Sequence, residues 1–366
     1  MKQTSLLYQI GLTLLPGIGV KLAKNLVAYT GSVEGVFKQK IKTLVTIPGI
    51  NYNLAKAIVN HAVLKRAEAE IKFIEKNNIQ TRFYLDDDYP NRLKYCDDNP
   101  ILLFAKGNFN WNPEKLISIV GTRNATEYGY KYTNKFVEGL KEANPYIISG
   151  MAYGIDITAH RAALKNDLTT IAIVGHGLDR MYPALHKPIL DQMMENGGVI
   201  TEFLSETIPD RENFPKRNRI IAGLSDATLV VESGRKGGSI ITAELALSYS
   251  RDVFAIPGNL ENKFSIGCNS LIHTQKATLV RGPNDILKVM NWFAKRKKKT
   301  IQKSLFIELT ESEQVIYDEL RTNGSCPIDE LTTKIGLSMS KTSVNLLNLE
   351  FKGVVKTLPG KVYSLA

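Results

Sequence analysis

From about residue 116 onward the chain alternates short apolar runs with helical repeats or with loops that lead into one. The runs lie at residues 116–120, 146–148, 170–174, 198–201, 227–231, 253–256 and 278–280. Most are apolar at consecutive positions, where a half-exposed strand would alternate apolar with polar. That is how strands read when helices cover both faces of a parallel sheet. The first 65 residues follow another pattern, with short helices broken at Leu15-Pro16-Gly17-Ile18-Gly19 and again at Ile47-Pro48-Gly49-Ile50-Asn51. A helical repeat follows each break, over 20–29 and 54–63. Residues 66–115 read as a lead-in, with a helix running through Asn77 and then a polar stretch over 86–99. Near the C-terminus, helical segments over 312–320, 328–335 and 340–351 precede a hairpin, 354–357 and 361–364, around Pro359-Gly360. Ser312 reads as a capping-type serine for the first of these helices.

The expected architecture is therefore α/β, with an extended Rossmann-like, doubly wound, mostly parallel sheet over residues 66–294. A small all-α domain of helix-hairpin-helix or SAM-like type occupies 1–65, a basic linker 295–303, and a winged-helix-like domain 304–366. The spacing and sequence of the two breaks resemble a pair of helix-hairpin-helix motifs, in which turn glycines bring backbone close to a DNA phosphate and helix N-termini offer free N–H donors. Asn51 stands where the second turn would carry a glycine. A small packing module with Pro-Gly as turn punctuation explains the same residues.

Charge refines this picture by its distribution. The net charge is +11. Residues 1–65 carry eight Lys/Arg against one acid, residues 66–294 carry 27 of each sign, and 295–303 hold six bases and no acid. Residues 304–366 have six bases against eight acids. Any polyanion site in the neutral middle must then be a local cluster, and the run over 295–299 reads as a linker that assists electrostatically. The three cysteines, Cys96, Cys268 and Cys326, are far apart, which argues against a zinc knuckle or disulfide framework and suits a reducing cytoplasm. No apolar run is long enough to span a membrane, and the N-terminus lacks the small-residue cleavage site of a secretory signal.

In an open α/β sheet, ligands bind beyond the carboxyl ends of the strands. Here those ends are rich in glycine: Gly121-Thr122-Arg123, then Ser149-Gly150-Met151-Ala152-Tyr153-Gly154-Ile155-Asp156, then Gly175-His176-Gly177, and later Gly237-Gly238-Ser239. Glycines leave backbone N–H groups accessible, and a following helix N-terminus adds positive potential, so each loop suits a phosphate. Neither G-x-G-x-x-G after the first run nor G-x-x-x-x-G-K-[ST] occurs, which argues against NAD, FAD and ATP, and no cofactor is expected. Arg123, Lys187, Lys216-Arg217-Asn218-Arg219 and Arg235-Lys236 recur near the same loops, with Tyr153, Tyr182 and Phe214 available to stack bases. That combination fits successive phosphates of a nucleic-acid strand. The structural alternative for Arg217 and Arg219 is an ion pair with Glu202 or Glu232.

Several motifs carry a resemblance. Val120-Gly121-Thr122-Arg123, Ser149-Gly150-Met151-Ala152-Tyr153-Gly154-Ile155-Asp156-x-x-Ala159-His160 and Tyr182-Pro183 come first. Phe214-Pro215-x-Arg217-Asn218-Arg219-Ile220-Ile221-Ala222-Gly223-Leu224-Ser225, Pro257-Gly258 and Gly267-Cys268-Asn269-x-Leu271-Ile272 follow in order. Together, from about Tyr84 to Gly282, they closely resemble the bacterial DNA-processing family called DprA or Smf. The resemblance implies a protein that protects incoming single-stranded DNA during natural transformation and loads the RecA recombinase onto it. It further implies a homodimer formed through the Rossmann-like domain. The strand-binding positions it implies are Gly121, Thr122, Arg123, Gly150, Lys187, Arg217, Asn218, Arg219, Gly238 and Ser239, with His186 an alternative occupant of the Lys187 place. Gly237-Gly238-Ser239 departs from the family's usual Ser-Gly-Ser.

Two other functions remain to be weighed. Gly237-Gly238-Ser239-Ile240-Ile241-Thr242-Ala243-Glu244 resembles the G-G-x-G-T-x-x-E loop of nucleotide-monophosphate phosphoribohydrolases, although Ile241 and Thr242 shift the pattern. A duplex-binding regulator would act through the winged helix, but its candidate recognition helix offers only Lys341 along its body and carries Glu350. Asp156 and His160, spaced i, i+4, are expected to be a helix cap and a satisfied, partly buried histidine rather than an acid–base pair.

Overall fold

The computed structural model describes residues 2–293 and 309–366, with side chains from Ser5 onward. The linker expected at 295–303 lies outside the described residues. All seven anticipated strands form, and two unanticipated ones precede them: β1 (Gln80–Phe83) and β2 (Leu102–Asn108). The rest are β3 (Leu116–Val120), β4 (Tyr146–Ser149), β5 (Thr170–Ile173), β6 (Gly197–Thr201), β7 (Ala227–Val230), β8 (Asp252–Ala255) and β9 (Thr278–Leu279). They build one nine-stranded sheet in the order β1-β2-β6-β5-β4-β3-β7-β8-β9. The run from β6 to β9 is parallel, while β2 lies antiparallel to both β6 and β1.

Burial on both faces explains the continuous apolar runs. On β3, Leu116 and Val120 join one hydrophobic cluster, while Ile117 and Ile119 join the cluster on the opposite face. Ile148 and Ile147 divide the same way on β4, as do Val230 and Leu229 on β7. Helices Glu127–Gly139 and Ile155–Lys165 belong to the second face. Helices Asn213–Leu224 and Gly238–Ser248 belong to the first. The chain winds from β3 to β4, β5 and β6 in one direction, then returns to β7 on the other side of β3. The crevice between the carboxyl ends of β3 and β7 is thus the switch point where open α/β sheets bind ligands.

The N-terminal domain is helical throughout: Lys2–Leu14, Val20–Thr30, Val33–Lys38, Ile41–Leu44, Tyr52–Val59 and Ala62–Lys76. Its two turn glycines, Gly17 and Gly49, take φ of 73° and 87°, which glycine alone adopts without strain. A Cβ on Gly17 would come within 3.0 Å of Leu54, and one on Gly49 within 2.6 Å of Leu22. Each turn therefore packs on the helix that follows the other turn. The helix expected over 54–63 stops at Val59, because His61 takes φ 54° and ties its Nε2 to the Phe37 carbonyl at 2.7 Å. The next helix runs unbroken through residue 65. Apolar residues of these helices share one core with Phe83, Leu102 and Phe104 of β1 and β2, so the domain rests on that edge of the sheet.

The C-terminal domain has helices Glu311–Asn323, Ile328–Ile335 and Met339–Phe351 and a three-stranded sheet of β10 (Cys326–Pro327), β12 (Val362–Leu365) and β11 (Val355–Leu358). That is helix, helix-turn-helix and wing. Its first helix is capped by Thr310, not by Ser312. The Thr310 hydroxyl accepts from the Glu313 amide, and the Glu313 carboxylate accepts from the Thr310 amide at 2.8 Å.

Candidate nucleic-acid interface

A cavity of about 330 Å³ fills the crevice between β3 and β7. Three of the four glycine-rich loops reach it. Gly121, Thr122 and Arg123 come from β3, Ala152 and Asp156 from the loop and helix after β4, and Ser233 through Ser239 (Arg235 apart) from β7. Helix Asn213–Leu224 adds Phe214, Arg217 and Asn218. The fourth loop, Gly175-His176-Gly177, is not among the lining residues. Helix Gly238–Ser248 begins at the cavity with Gly237 as its N-cap and no side chain bonded to its first amides. Those amides and the helix dipole offer an anion a ready seat. Ser239 is held in place by a 2.8 Å bond from its hydroxyl to that of Ser233.

Arg123 is exposed, and its guanidinium lies 5.0 Å from the centre of the Phe214 ring. No carboxylate among the described residues pairs with it, so its charge is available to a ligand. Phe214 in turn lies beside Tyr182, ring centres 6.2 Å apart and planes 32° from parallel. Arg123, Tyr153, Tyr182 and Phe214, with Gly150 and Arg217, line a cleft that continues from the main cavity. Phosphate donors and exposed aromatic faces are therefore contiguous.

Arg217 belongs to the cavity wall in another way. It is buried, and its Nη1 donates to the carbonyl of Gly150 at 2.6 Å and to that of Ile173. Burial pulls its guanidinium down to about 10, with buried Asp156 opposing the shift. Asp156 does not cap its helix as expected. Gly154 is the N-cap, and the Asp156 carboxylate reaches back to the Ala152 amide and lies beside Arg217. A Cβ on Gly150 would fall 2.2 Å from Arg217 and 2.6 Å from Asp156. Gly150 thus leaves room for this buried pair, and Arg217 fastens the loop after β4 to the end of β5.

Seven of the ten implied positions line the cavity and Gly150 lines the adjoining cleft, while two lie apart from both. Arg219, two residues beyond Arg217, pairs with Glu202 and donates to the Asp98 carbonyl at 2.5 Å. The ion-pair alternative therefore describes Arg219, with Glu202 as its acid. Glu232 instead accepts from the amide and hydroxyl of Thr126, at 2.9 and 2.6 Å, at the start of helix Glu127–Gly139. Lys187 is exposed and pairs with Asp191 at 2.9 Å, one helical turn on, in a separate depression with His176. His186 turns inward, its Nδ1 bonded to the Met151 carbonyl at 2.8 Å. Sequence reasoning did not single out Ser233 or Phe264, which also line the cavity. Phe264 sits in an irregular loop whose carbonyl accepts from the Ser233 amide at 2.6 Å, and no motif marks it.

The family model of the DNA recombination-mediator protein A matches residues 80–291, that of the SAM-like helix-hairpin-helix tandem 10–63, and that of the DprA winged helix domain 307–361. Protein Smf of Escherichia coli is 33% identical over 81% of this chain and 80% of its own length. The chain belongs to this DprA/Smf family. DNA processing protein DprA of Streptococcus pneumoniae is 42% identical over 56% of this chain and 71% of its own length. Among solved structures, that of DprA from S. pneumoniae covers 77% of this chain and 97% of its own, at TM-score 0.63 and 33% identity. A structure of DprA from Helicobacter pylori, described for a unique single-stranded DNA binding mode, covers 58% of this chain and 95% of its own, at TM-score 0.53 and 26% identity.

Two of the candidate catalytic residues, His160 and Glu244, do not line the cavity of this DprA/Smf chain. His160 is wholly buried, and it is not satisfied as expected. Its Nδ1 bonds the Thr170 hydroxyl at 2.7 Å, while Nε2 has no partner. Because Thr170 gives its proton to the Ile147 carbonyl, Nδ1 carries the proton and Nε2 is a bare acceptor. Burial, with His186 and Arg217 adding to it, holds the ring neutral down to about 3. Glu244, the acid of the phosphoribohydrolase-like pattern, does not line the cavity and pairs with Lys276 at 3.0 Å. Among the described residues, no group of His, Cys, Asp and Glu could hold a metal ion, and no helix is long and apolar enough to cross a membrane.

Helix Met339–Phe351 exposes Val344, Leu347 and Phe351 alongside Ser340, Lys341, Ser343 and Asn348, and Lys341 is the one exposed cation along its body.

Proposed function

We propose that this chain holds single-stranded DNA at the β3–β7 crevice as a non-catalytic recombination mediator. In this reading it protects incoming strands in natural transformation and loads the RecA recombinase onto them, without a cofactor and in a reducing cytoplasm. Phosphates occupy the cavity, met by the loop amides after β3 and β7, the N-terminus of helix Gly238–Ser248, Arg123 and Lys236. A neighbouring base stacks in the cleft of Tyr153, Tyr182 and Phe214. That cleft is the observation that carries the reading. A base can lie against an aromatic face only when it is not already stacked and paired in a duplex. The protein acts as a homodimer joined through its Rossmann-like domain. Pairing two such sites raises affinity, because the second binds at high effective concentration.

Electrophoretic mobility shift with single- and double-stranded oligonucleotides across a salt series tests this. Single strands bind more tightly than duplex, and the log of affinity falls with log salt by about 0.7 for each phosphate neutralised. Arg123→Ala lowers both affinity and slope. Equal binding of duplex, or an unchanged slope in the variant, removes the basis of the assignment.

A further inference from the structure

Beyond the aromatic cleft the surface does not close. Arg123 and Tyr153 also border a third and larger depression, about 910 Å³, that continues from the cleft across the outside of two neighbouring helices. On helix Glu127–Gly139, Tyr130 and Asn134 face it one turn apart, with the exposed carboxylate of Glu127 at the helix start opposing the charge of Arg123 and Arg161. On helix Ile155–Lys165 it is faced by Arg161, and Leu185 closes the far side. Tyr130 is 37% exposed and Tyr153 45%. Arg161 is exposed and pairs with no carboxylate among the described residues. The motifs that carry the family resemblance include neither Tyr130 nor Arg161.

We propose that this outer groove is a second segment of the strand-binding track, taking the nucleotides that continue from the crevice. Resting on the single-strand reading above, it extends the footprint from one cavity to a path: phosphates in the crevice, a base in the cleft, further nucleotides along the groove. An unpaired aromatic face and an unpaired guanidinium, lining the same depression as Arg123, are the two elements that sequence-tolerant strand binding combines. Arg161 neutralises a phosphate, and Tyr130 presents its ring to a base.

Oligothymidylates of about 6 and about 20 nucleotides bracket the span at issue, since single-strand sites in other folds run to ~4–16 nucleotides. Tyr130→Ala combined with Arg161→Ala weakens the long strand about tenfold or more and lowers its salt slope by about 0.7, while the short strand binds as before. Arg161→Glu alone lowers long-strand affinity further than Arg161→Ala. Both side chains are exposed, so removing them leaves the fold intact. Unchanged long-strand binding in these variants, with Arg123→Ala still weakening both lengths, overturns the groove and leaves the crevice standing. No loss with Arg123→Ala at either length overturns the single-strand reading itself. A shift in oligomeric state on sizing, with long-strand affinity intact, assigns the groove to a second copy of this chain.

Discussion

Arg217 and Arg219 leave one helix two residues apart and end in different surroundings. Arg217 stands in the wall of the crevice, beside the exposed Arg123 and beneath the loop it fastens. Arg219 lies in a polar brace between the N-terminal helices and the sheet. There Glu202 takes one of its amino groups and the Asp98 carbonyl another, while Tyr249 donates to Asp98 at 2.6 Å and Lys24 to the Asp97 carbonyl at 3.3 Å. The crevice has an unpaired cation and uncapped amides, whereas the brace has cations already matched. Both arginines of the motif are therefore scaffold, Arg217 tying the crevice wall together and Arg219 the brace, and a cation left for a ligand is Arg123. What separates a structural cation from one offered to a ligand is whether a partner is already in place.

The sharpest way to break this contrast is Arg219→Ala. Removing one partner of a largely buried pair leaves Glu202 uncompensated, at a cost of about 3 kcal/mol in unfolding free energy. Burial already pushes the Glu202 carboxyl up, and Arg219 is the main group opposing that shift. Urea unfolding measures the loss. A double-mutant cycle with Glu202→Gln recovers part of it if the two are coupled. The folded variant keeps the wild-type salt slope for single-stranded DNA. A slope reduced by about 0.7 with stability intact would put Arg219 on the strand.

A second test uses the buried histidine beside the crevice. His160 has an ordinary value of 6.5 and a folded value of about 3, so between these the unfolded chain binds a proton that the native protein refuses. Its contribution to stability is complete above 6.5 and is lost as pH falls toward 3. Between about pH 7 and about pH 5 this amounts to about 2 kcal/mol. His160→Asn keeps a donor for Thr170 and removes the titration, so its unfolding free energy changes less over that interval. Buried His176, also lowered by burial, contributes to the acid dependence that remains. An identical pH slope in variant and wild type would show that His160 does not titrate on unfolding.

How much of this was legible beforehand follows the physics of each element. Strands β3 to β8 could be read because burial on two faces demands unbroken apolar runs, and the switch-point rule then located the crevice; β9 is an exposed edge strand. Strand β1 was missed because Gln80, Thr81 and Arg82 are polar and half-buried, and β2, although it opens on four buried residues, follows a polar stretch and was read with it as a lead-in. Glycine and Arg123 at the strand ends marked the loops that line the crevice. The burial of Arg217 was not legible, because it depends on Gly150 leaving room and on Asp156 turning back across its loop. His61 gave no sign of breaking a helix, its left-handed turn being fixed by Phe37 from a distant segment.

The smallest expected effect belongs to Lys187, and it bears most directly on how far a family motif can be carried over. Its ammonium is 65% exposed and meets Asp191 one helical turn on, an exposed pair of the kind that contributes at most ~0.5 kcal/mol. It borders the depression that holds His176 and Met181, and it does not line the crevice, the cleft or the outer groove. Lys187→Ala should then shift single-strand affinity by less than about twofold, at wild-type stability and slope. A fall in slope like that of Arg123→Ala would mean that the strand passes over the loop after Tyr182-Pro183. In that case the path would leave the crevice on the β5 side, and the groove beside Tyr130 would lose its claim to the next nucleotides.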